Sequence, residues 1–328
     1  MQQFVEMARS QTSGKPSRST RLSPRAKAEA KAFYLFVTPW LLGFLGLSFI
    51  PLLLGLATSF TNYDGLNLGN LKFMGFQNYT RAFDALDFWL ALRNTFAYSL
   101  VQVPVGLAFG LFLAMLLNRR FAGRSLFRAL YYLPSILPLA GAVVAWSLLF
   151  NPNTGLVNAV LSFFQPGTAI NWPRDYFFGM LYLYSWWHVG GTMVLFLAGL
   201  QGIPVDLYEA ARIDGANGRQ LFQRITVPLL TPVIFFQLIL GIIGSLQILD
   251  VAILLYGRAG LSGAIQMPQE KYLYMVYNYI QVFDFQRYGY GVALSWIFFV
   301  IVLILTVLVL ASSKYWVHYE VAQEGDSE

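Results

Sequence analysis

A chain of 328 residues that is 57% hydrophobic and only 12% charged falls far below the about 25% charged residues of a water-soluble domain, which excludes a soluble globular protein. It contains no cysteine, so structural disulfides, thiolate metal sites and cysteine nucleophiles are excluded as well. The formal charge of +6 does not argue for nucleic acid, because it follows from where Lys and Arg fall around the apolar runs.

Residues up to about Leu22 are rich in Ser, Thr and Arg, with too few large apolar groups to offset the entropy of ordering, and predict a disordered tail. Ser23-Pro24 then offers a helix cap with proline at the first helical position, opening a short basic helix with Arg25, Lys27, Glu29 and Lys31. That helix suits electrostatic anchoring to anionic lipid, with a regulatory role as the alternative. Uncharged apolar runs follow at Ala32–Phe60, Thr95–Leu117, Ala129–Phe150, Tyr176–Leu200, Val227–Leu249 and Tyr290–Ser313, each above the ~20 residues that cross a bilayer. The first is too long for a signal-peptide core and is read as an uncleaved span. The expected fold class is an all-α integral membrane protein with six transmembrane helices.

Fifteen Lys and Arg lie on one side of these spans, in the N-terminal tail, at Arg119, Arg120, Arg124 and Arg128, at Arg212, Arg219 and Arg224, and at Lys314; seven lie on the other. The positive-inside bias therefore puts both termini and the link between spans four and five in the cytoplasm. The opposite links are longer. Asn62–Leu90 holds turn residues and aromatics, and Asn151–Asp175 holds NPNTG followed by LVNAVLSFF, whose Leu156, Val160 and Phe163 fit a short interfacial helix. Gly257–Arg287 opens with GRAGLSG, a flexible turn. Inside the spans, Gly106, Gly110 and Ala114 recur every fourth residue and predict close helix packing. Pro39, Pro51, Pro104, Pro134, Pro138, Pro228 and Pro232 interrupt the helical hydrogen-bond ladder.

The inventory for catalysis is thin. His188 and His318 are the only histidines, no Walker-type P-loop occurs, and no second buried charge accompanies His188; the chain is read as no enzyme, with no catalytic or metal-ligating residues. Span four places Tyr182, Ser185, Trp186, Trp187, His188 and Thr192 in mid-membrane, where aromatic faces beside hydrogen-bonding tips suit a sugar; interhelical hydrogen bonding by His188 with tryptophan as bulk is the other reading. In span five, Gln247 and Asp250 are three apart on one helical face. They line the outer half of a pathway, or Asp250 simply sits at the outer interface.

Between spans four and five runs YEAARIDGANGRQLFQRITVP, which reads as two short helices around a turn. Asp206–Asp214 favours helix, Gly215 comes where a left-handed stop is easiest, and Asn217 caps a second helix with Gln220 three residues on. Ala210 and Ala211 beside Leu207, Ile213 and Phe222 offer a surface for close docking.

Glu209-Ala210-Ala211, three residues, Gly215, nine residues, then Ile225-Thr226-Val227-Pro228 resembles the EAA loop of permease subunits in binding-protein-dependent ABC importers, with Val227 in place of that pattern's leucine. GFQNYTRAF, RNT at Arg93–Thr95, NPNTGLVN and LQGIPVDLYEAARIDGA resemble its carbohydrate-uptake branch, of maltose and glycerol-phosphate type. The similarity covers most of Phe73–Asp250; YGRAGLSGAIQMP replaces the branch's usual TxGGP-like turn. The resemblance implies a permease domain over 32–314, between a basic cytoplasmic tail (1–31) and a C-terminal tail (315–328), with a cytoplasmic coupling-helix loop at about 201–227. It assigns ATPase coupling to Glu209, Ala210, Ala211, Asp214, Gly215 and Pro228, with Glu209 meeting a basic residue of the ATPase. Tyr182, Trp186, Trp187, His188, Gln247 and Asp250 are the candidate substrate pathway. It further implies a second homologous permease, two copies of an ATP-binding subunit that hold ATP-Mg, an extracytoplasmic solute-binding protein, membrane lipid around the spans, and the cytoplasmic membrane of a bacterium or archaeon. This chain itself is expected to hold no cofactor. Two other classes stand beside this reading: a secondary transporter, which calls for intramembrane coupling charges and internal repeats, and a membrane sensor or scaffold, which needs no solute cavity.

Overall fold

The computed structural model describes residues 24–66, 69, 71–167, 169–256, 265 and 267–318. The expected disordered tail, the GRAGLSG turn and most of the C-terminal tail lie outside the described residues. The chain divides into two compact units, Met1–Gly55 and Leu56–Glu328.

The described residues of the first unit, from Pro24 on, form one helix. α1 (Pro24–Phe44) passes through a π-helical turn (Leu45–Phe49) into α2 (Ile50–Thr58). The wide turn has a local cause: Pro51 has no N–H to give the carbonyl four residues back, and the ladder shifts to i−5, with Ile50 N–H donating to Leu45 O. Lys27–Thr58 is 32 residues long and carries enough apolar surface to cross a membrane.

In the second unit, α3 (Gln77–Asp84) is a short surface helix before the long α4 (Leu86–Asn118). Then come α5 (Arg124–Ile136), α6 (Leu139–Leu149), α7 (Leu156–Phe164), α8 (Phe177–Trp187), α9 (Gly190–Gly202), α10 (Val205–Ile213), α11 (Gly218–Leu221), α12 (Val227–Leu246), α13 (Asp250–Tyr256), α14 (Tyr274–Tyr279) and α15 (Tyr288–Trp316). α7 coincides with the stretch expected to be an interfacial helix. α11 runs through a second π-helical turn (Phe222–Thr226) into α12, so Gly218–Leu246 is one helix of 29 residues. Pro228 again follows the wide turn, by the same logic as Pro51. The loop's second helix is thus the head of span five rather than a separate element.

Among the described residues, four helices are long and apolar enough to cross a membrane by themselves, Lys27–Thr58, Leu86–Asn118, Gly218–Leu246 and Tyr288–Trp316, and the number rises to six if each of two bent pairs is one span. The bends sit before prolines. Leu137 precedes Pro138 and Ile203 precedes Pro204, and both are extended (ψ 140° and 124°), as the clash with proline Cδ demands. α5 and α6 accordingly meet at 101°, and α9 and α10 at 64°. The third apolar run is therefore not the straight span that its length suggests.

The fourth run is also divided, at His188 and Val189. Here the cause is tertiary. Ser135 of α5 reaches into the gap: its hydroxyl donates to His188 O (3.4 Å) and accepts from Gly191 N–H (3.0 Å), taking over backbone groups the helix has dropped. Gly190 makes this approach possible, since a Cβ there would lie 2.3 Å from Tyr131 O and 2.8 Å from Tyr132 Cα. Ser135→Ala is expected to lower stability by about 1–3 kcal/mol, the cost of orphaned buried backbone groups, read as a fall in thermal unfolding temperature; an unchanged midpoint would show that the fork contributes nothing.

Packing follows the small residues. A Cβ on Gly110 would meet Thr192 Cγ2 at 2.6 Å, so α4 and α9 touch closely where the four-residue spacing predicted contact. Leu113, Ala114, Leu117, Met193, Phe196, Leu200 and Leu230 form a buried cluster at the α10 end of the bundle. Phe88, Ala91, Leu246, Tyr274, Tyr290 and Leu294 form another at the far end. Gly106 departs from the expectation: it borders a cleft instead of a helix.

Candidate functional site

Two places in the second unit carry polar groups in a pattern that packing alone does not explain: the α10–α11 loop and a cleft between α4, α8, α9 and α12.

In the loop, α10 ends in a Schellman motif. Ala216 N–H donates to Ala211 O (2.9 Å) and Gly215 N–H to Arg212 O (3.0 Å), with Gly215 in the left-handed region at φ +84°. Asn217 and Gln220 then form a reciprocal capping box, Asn217 N–H to Gln220 Oε1 (2.8 Å) and Gln220 N–H to Asn217 Oδ1 (3.0 Å). Tyr208 pins α10 inward through its hydroxyl on Thr226 Oγ1 (3.0 Å). With Tyr208 turned in, Glu209 and Ala210 are exposed, and so are Val205, Leu207 and Ile213, the last at 87%. A groove of about 240 Å³ lies between the two arms, lined by Ala211, Asp214, Gly215, Gln220 and Arg224. Small and apolar residues are thus exposed around Glu209, a carboxylate with no ion pair among the described residues. Pro228 lies one step inside, at the start of α12.

Because Gly215 holds a positive φ, Gly215→Val forces a β-branched residue into the left-handed region, at about 1–2 kcal/mol. The expected result is a chain that still inserts but whose α10 is misaimed, read as lost stimulation of a partner ATPase at normal membrane levels; stimulation at the wild-type level would reject the turn as a functional joint.

The cleft has a volume of about 200 Å³ and is lined by Tyr98, Gln102, Ser185, Thr192 and Ser245, with Gly106, Gly241 and Gly244 opening it on two sides. Tyr98 OH and Ser185 Oγ are 2.7 Å apart, and Ser99 and Ser245 hydroxyls join α4 to α12 at 2.6 Å. An aromatic ladder continues from this wall: Tyr98 stacks on Tyr182 (5.1 Å), and Tyr182 on Trp186 (5.7 Å). Gln102 Oε1 on the cleft wall and Trp186 Nε1 on the adjoining ladder are buried with no hydrogen-bond partner among the described residues, which is costly unless a bound molecule satisfies them.

The structure brings only part of the sequence-predicted pathway together. Tyr182 and Trp186 share one face of α8 with the cleft's Ser185 between them. Trp187 and His188 point elsewhere: Trp187 meets Trp146 of α6 (5.7 Å), and His188 packs on Tyr184 (4.3 Å) while its Nδ1 meets Tyr184 O (3.1 Å). Gln247 and Asp250 do not share a helical face, because α12 ends at Leu246 and α13 begins at Asp250; both are exposed. Asp250 occupies the first turn of α13, where a carboxylate favours the helix dipole. Tyr98, Gln102 and Ser245 were not singled out in the sequence. Gln102, an amide within an apolar span, was the available signal.

Residues 106–318 match the family described as "Binding-protein-dependent transport system inner membrane component". The chain belongs to this family. The permease is 38% identical over 299 residues to the probable ABC transporter permease protein YesP of Bacillus subtilis, covering 89% of this chain and 94% of that one. It is 34% identical over 292 residues to the trehalose/maltose transport system permease protein MalF of Thermococcus litoralis, covering 88% and 95%. In fold it is similar to a chain of the crystallised bacterial alginate ABC transporter in complex with an alginate pentasaccharide-bound periplasmic protein, with a TM-score of 0.75 at 22% identity over 88% of this chain and 95% of that chain. The permease is thus a multi-pass inner-membrane subunit of an ABC importer, a non-catalytic component that works with further subunits and a solute-binding protein.

Proposed function

We propose that this permease forms half of the translocation pathway for a sugar or oligosaccharide, through the cleft between α4, α8, α9 and α12. The observation that carries this reading is the Tyr98–Tyr182–Trp186 ladder beside hydroxyls and the unpartnered Gln102 and Trp186 groups: aromatic faces cover the C–H patches of a pyranose, and the polar atoms meet its hydroxyls. Relatives named for trehalose and maltose and for arabinooligosaccharides support a carbohydrate. The chain crosses the membrane six times with both termini cytoplasmic, its transport domain spans 32–314, and it pairs with a second homologous permease. The α10–α11 loop, with Glu209, Ala210, Ala211, Asp214 and Gly215, seats in a groove of an ATP-Mg-binding subunit, present in two copies, while an extracytoplasmic binding protein delivers solute. Trp187, His188, Gln247 and Asp250 contribute at the margins of the pathway.

The test is ATP-dependent uptake of radiolabelled malto- and arabino-oligosaccharides by the complete complex in proteoliposomes. Tyr98→Phe leaves Ser185 without its partner and removes one hydroxyl from the cleft, and is expected to raise the KM for uptake about 3–10-fold. Trp186→Ala is expected to do at least as much. Unaltered KM in both variants, or uptake of non-carbohydrate solutes alone, would move the solute route away from this cleft.

A further inference from the structure

At the end of the bundle far from the α10–α11 loop lies a groove of about 580 Å³, lined among others by Phe60, Tyr79, Phe83, Trp89, Trp296 and Val300. It is separate from the cleft, and none of the transport roles above uses it. Its walls present carbon only. Two polar tips of the lining are bonded internally: Tyr79 OH bonds Ser59 Oγ (2.7 Å), and Trp89 Nε1 donates to Phe83 O (2.8 Å). α3, which supplies one wall, is fixed in place by Asn78 Nδ2, which donates to both Ser59 O and Thr61 O at 2.8 Å. The groove's open surface therefore offers no hydrogen bond to an occupant.

That chemistry selects hydrocarbon. A sugar or an extended peptide would leave its polar groups unpaired there. On the order of twenty methylene-sized groups, at the ~30 Å³ that a water also takes, fill it, which is the size of one long acyl chain. Tryptophan and tyrosine near the helix ends are typical of the headgroup boundary. A charge lies next to this wall along α4, beside the lining residues Trp89 and Leu92. Arg93 follows Trp89 by one turn of α4, about 40° around the axis, it is exposed, and it makes no ion pair or hydrogen bond among the described residues. Side chains lean toward the helix N-terminus, the direction in which Trp89 lies from Arg93. We infer that this groove binds a phospholipid, with one acyl chain along the aromatic wall and the phosphate held by the Arg93 guanidinium.

The probe is phosphatidylglycerol with brominated acyl chains, titrated into the purified complete complex in detergent while tryptophan fluorescence is followed; the readout does not depend on uptake, so it stands or falls apart from the carbohydrate reading. The expected result is a saturable quenching component, competed by unbrominated phosphatidylglycerol and lost in Trp89→Phe/Trp296→Phe. Arg93→Gln is expected to shift half-saturation about tenfold upward, the worth of one charge-assisted hydrogen bond. Val300→Trp, which fills the groove, is expected to remove one retained lipid per chain by native mass spectrometry with subunit composition unchanged. Quenching that rises linearly without saturation, or an Arg93→Gln curve that overlays the wild type, overturns the assignment. So does a Val300→Trp complex that keeps its lipid and loses a protein subunit, which would make the occupant a neighbouring helix.

Discussion

Glu209→Lys is expected to abolish uptake and to release the ATPase, while the variant still inserts and accumulates in the membrane. Glu209 is exposed on α10, facing away from the Tyr208 anchor, and has no ion pair among the described residues, so its replacement removes nothing that holds the permease together. On the proposed docking, its carboxylate would lose water against a basic group of the ATPase. Removing one member of such a pair costs about 2–5 kcal/mol, because the other is left buried and unpaired, which is more than tenfold in affinity. Reversal adds repulsion to that cost. Co-purification of ATPase across a salt series reads the effect, and a Lys or Arg to Glu change in the ATPase groove is expected to restore part of the association. ATPase recovery identical to wild type at every salt concentration would sink the docking assignment.

The second large effect is structural, and it comes with its own control. Gly190→Ala places a Cβ 2.3 Å from the backbone oxygen of Tyr131 and 2.8 Å from Tyr132 Cα, whereas a Cβ at Gly191 meets nothing within 4 Å. Backbone cannot swing aside as a side chain can, so the cost lies at the upper end of overpacking, about 3 kcal/mol, and the Ser135 fork is pushed off His188 and Gly191 as well. Gly190→Ala is expected to lower the yield and thermal stability of the purified permease severely, and Gly191→Ala to leave both near wild type. Equal behaviour of the two neighbours would mean that α5 does not lie against this break.

What the sequence disclosed and what it withheld divide along the range of the forces. The Gly215 stop, the Asn217–Gln220 cap and the α7 helix depend on residues within a few positions of one another, and each was legible before any coordinates. The contact at Gly110 was legible because small residues every fourth position leave few alternatives. The break at His188 was not, since it depends on a hydroxyl from Ser135, 53 residues earlier. The cleft was hidden for the same reason: Tyr98 and Ser185 meet across 87 positions, and a tyrosine in an apolar span looks like bulk until its neighbour is known. The prolines were visible, but the sequence did not tell which of them would bend a span. Pro138 and Pro204 turn the chain sharply, whereas Pro104 and Pro232 ride inside continuous helices.

Continuity of α11 with α12 gives the loop a mechanical meaning. Gly218–Leu246 is a single rod of about 44 Å, and it presses closely on α9 at Leu230 and Val233, where a Cβ on Gly199 would lie 2.8 Å and 3.0 Å from their methyl groups. Gly241, Gly244 and Ser245, which wall the cleft, lie beyond that contact. We propose that the contact at Leu230 serves as a fulcrum when α4 releases the far arm at Gly241 and Ser245, with arms of about 18 Å on either side. A first-class lever of near-equal arms neither amplifies nor attenuates: a sideways displacement of an ångström imposed at Gly218 swings the cleft wall by about an ångström in the opposite sense. On that proposal, a stroke that a docked partner delivers at one end of this rod would be received at the other with its direction reversed.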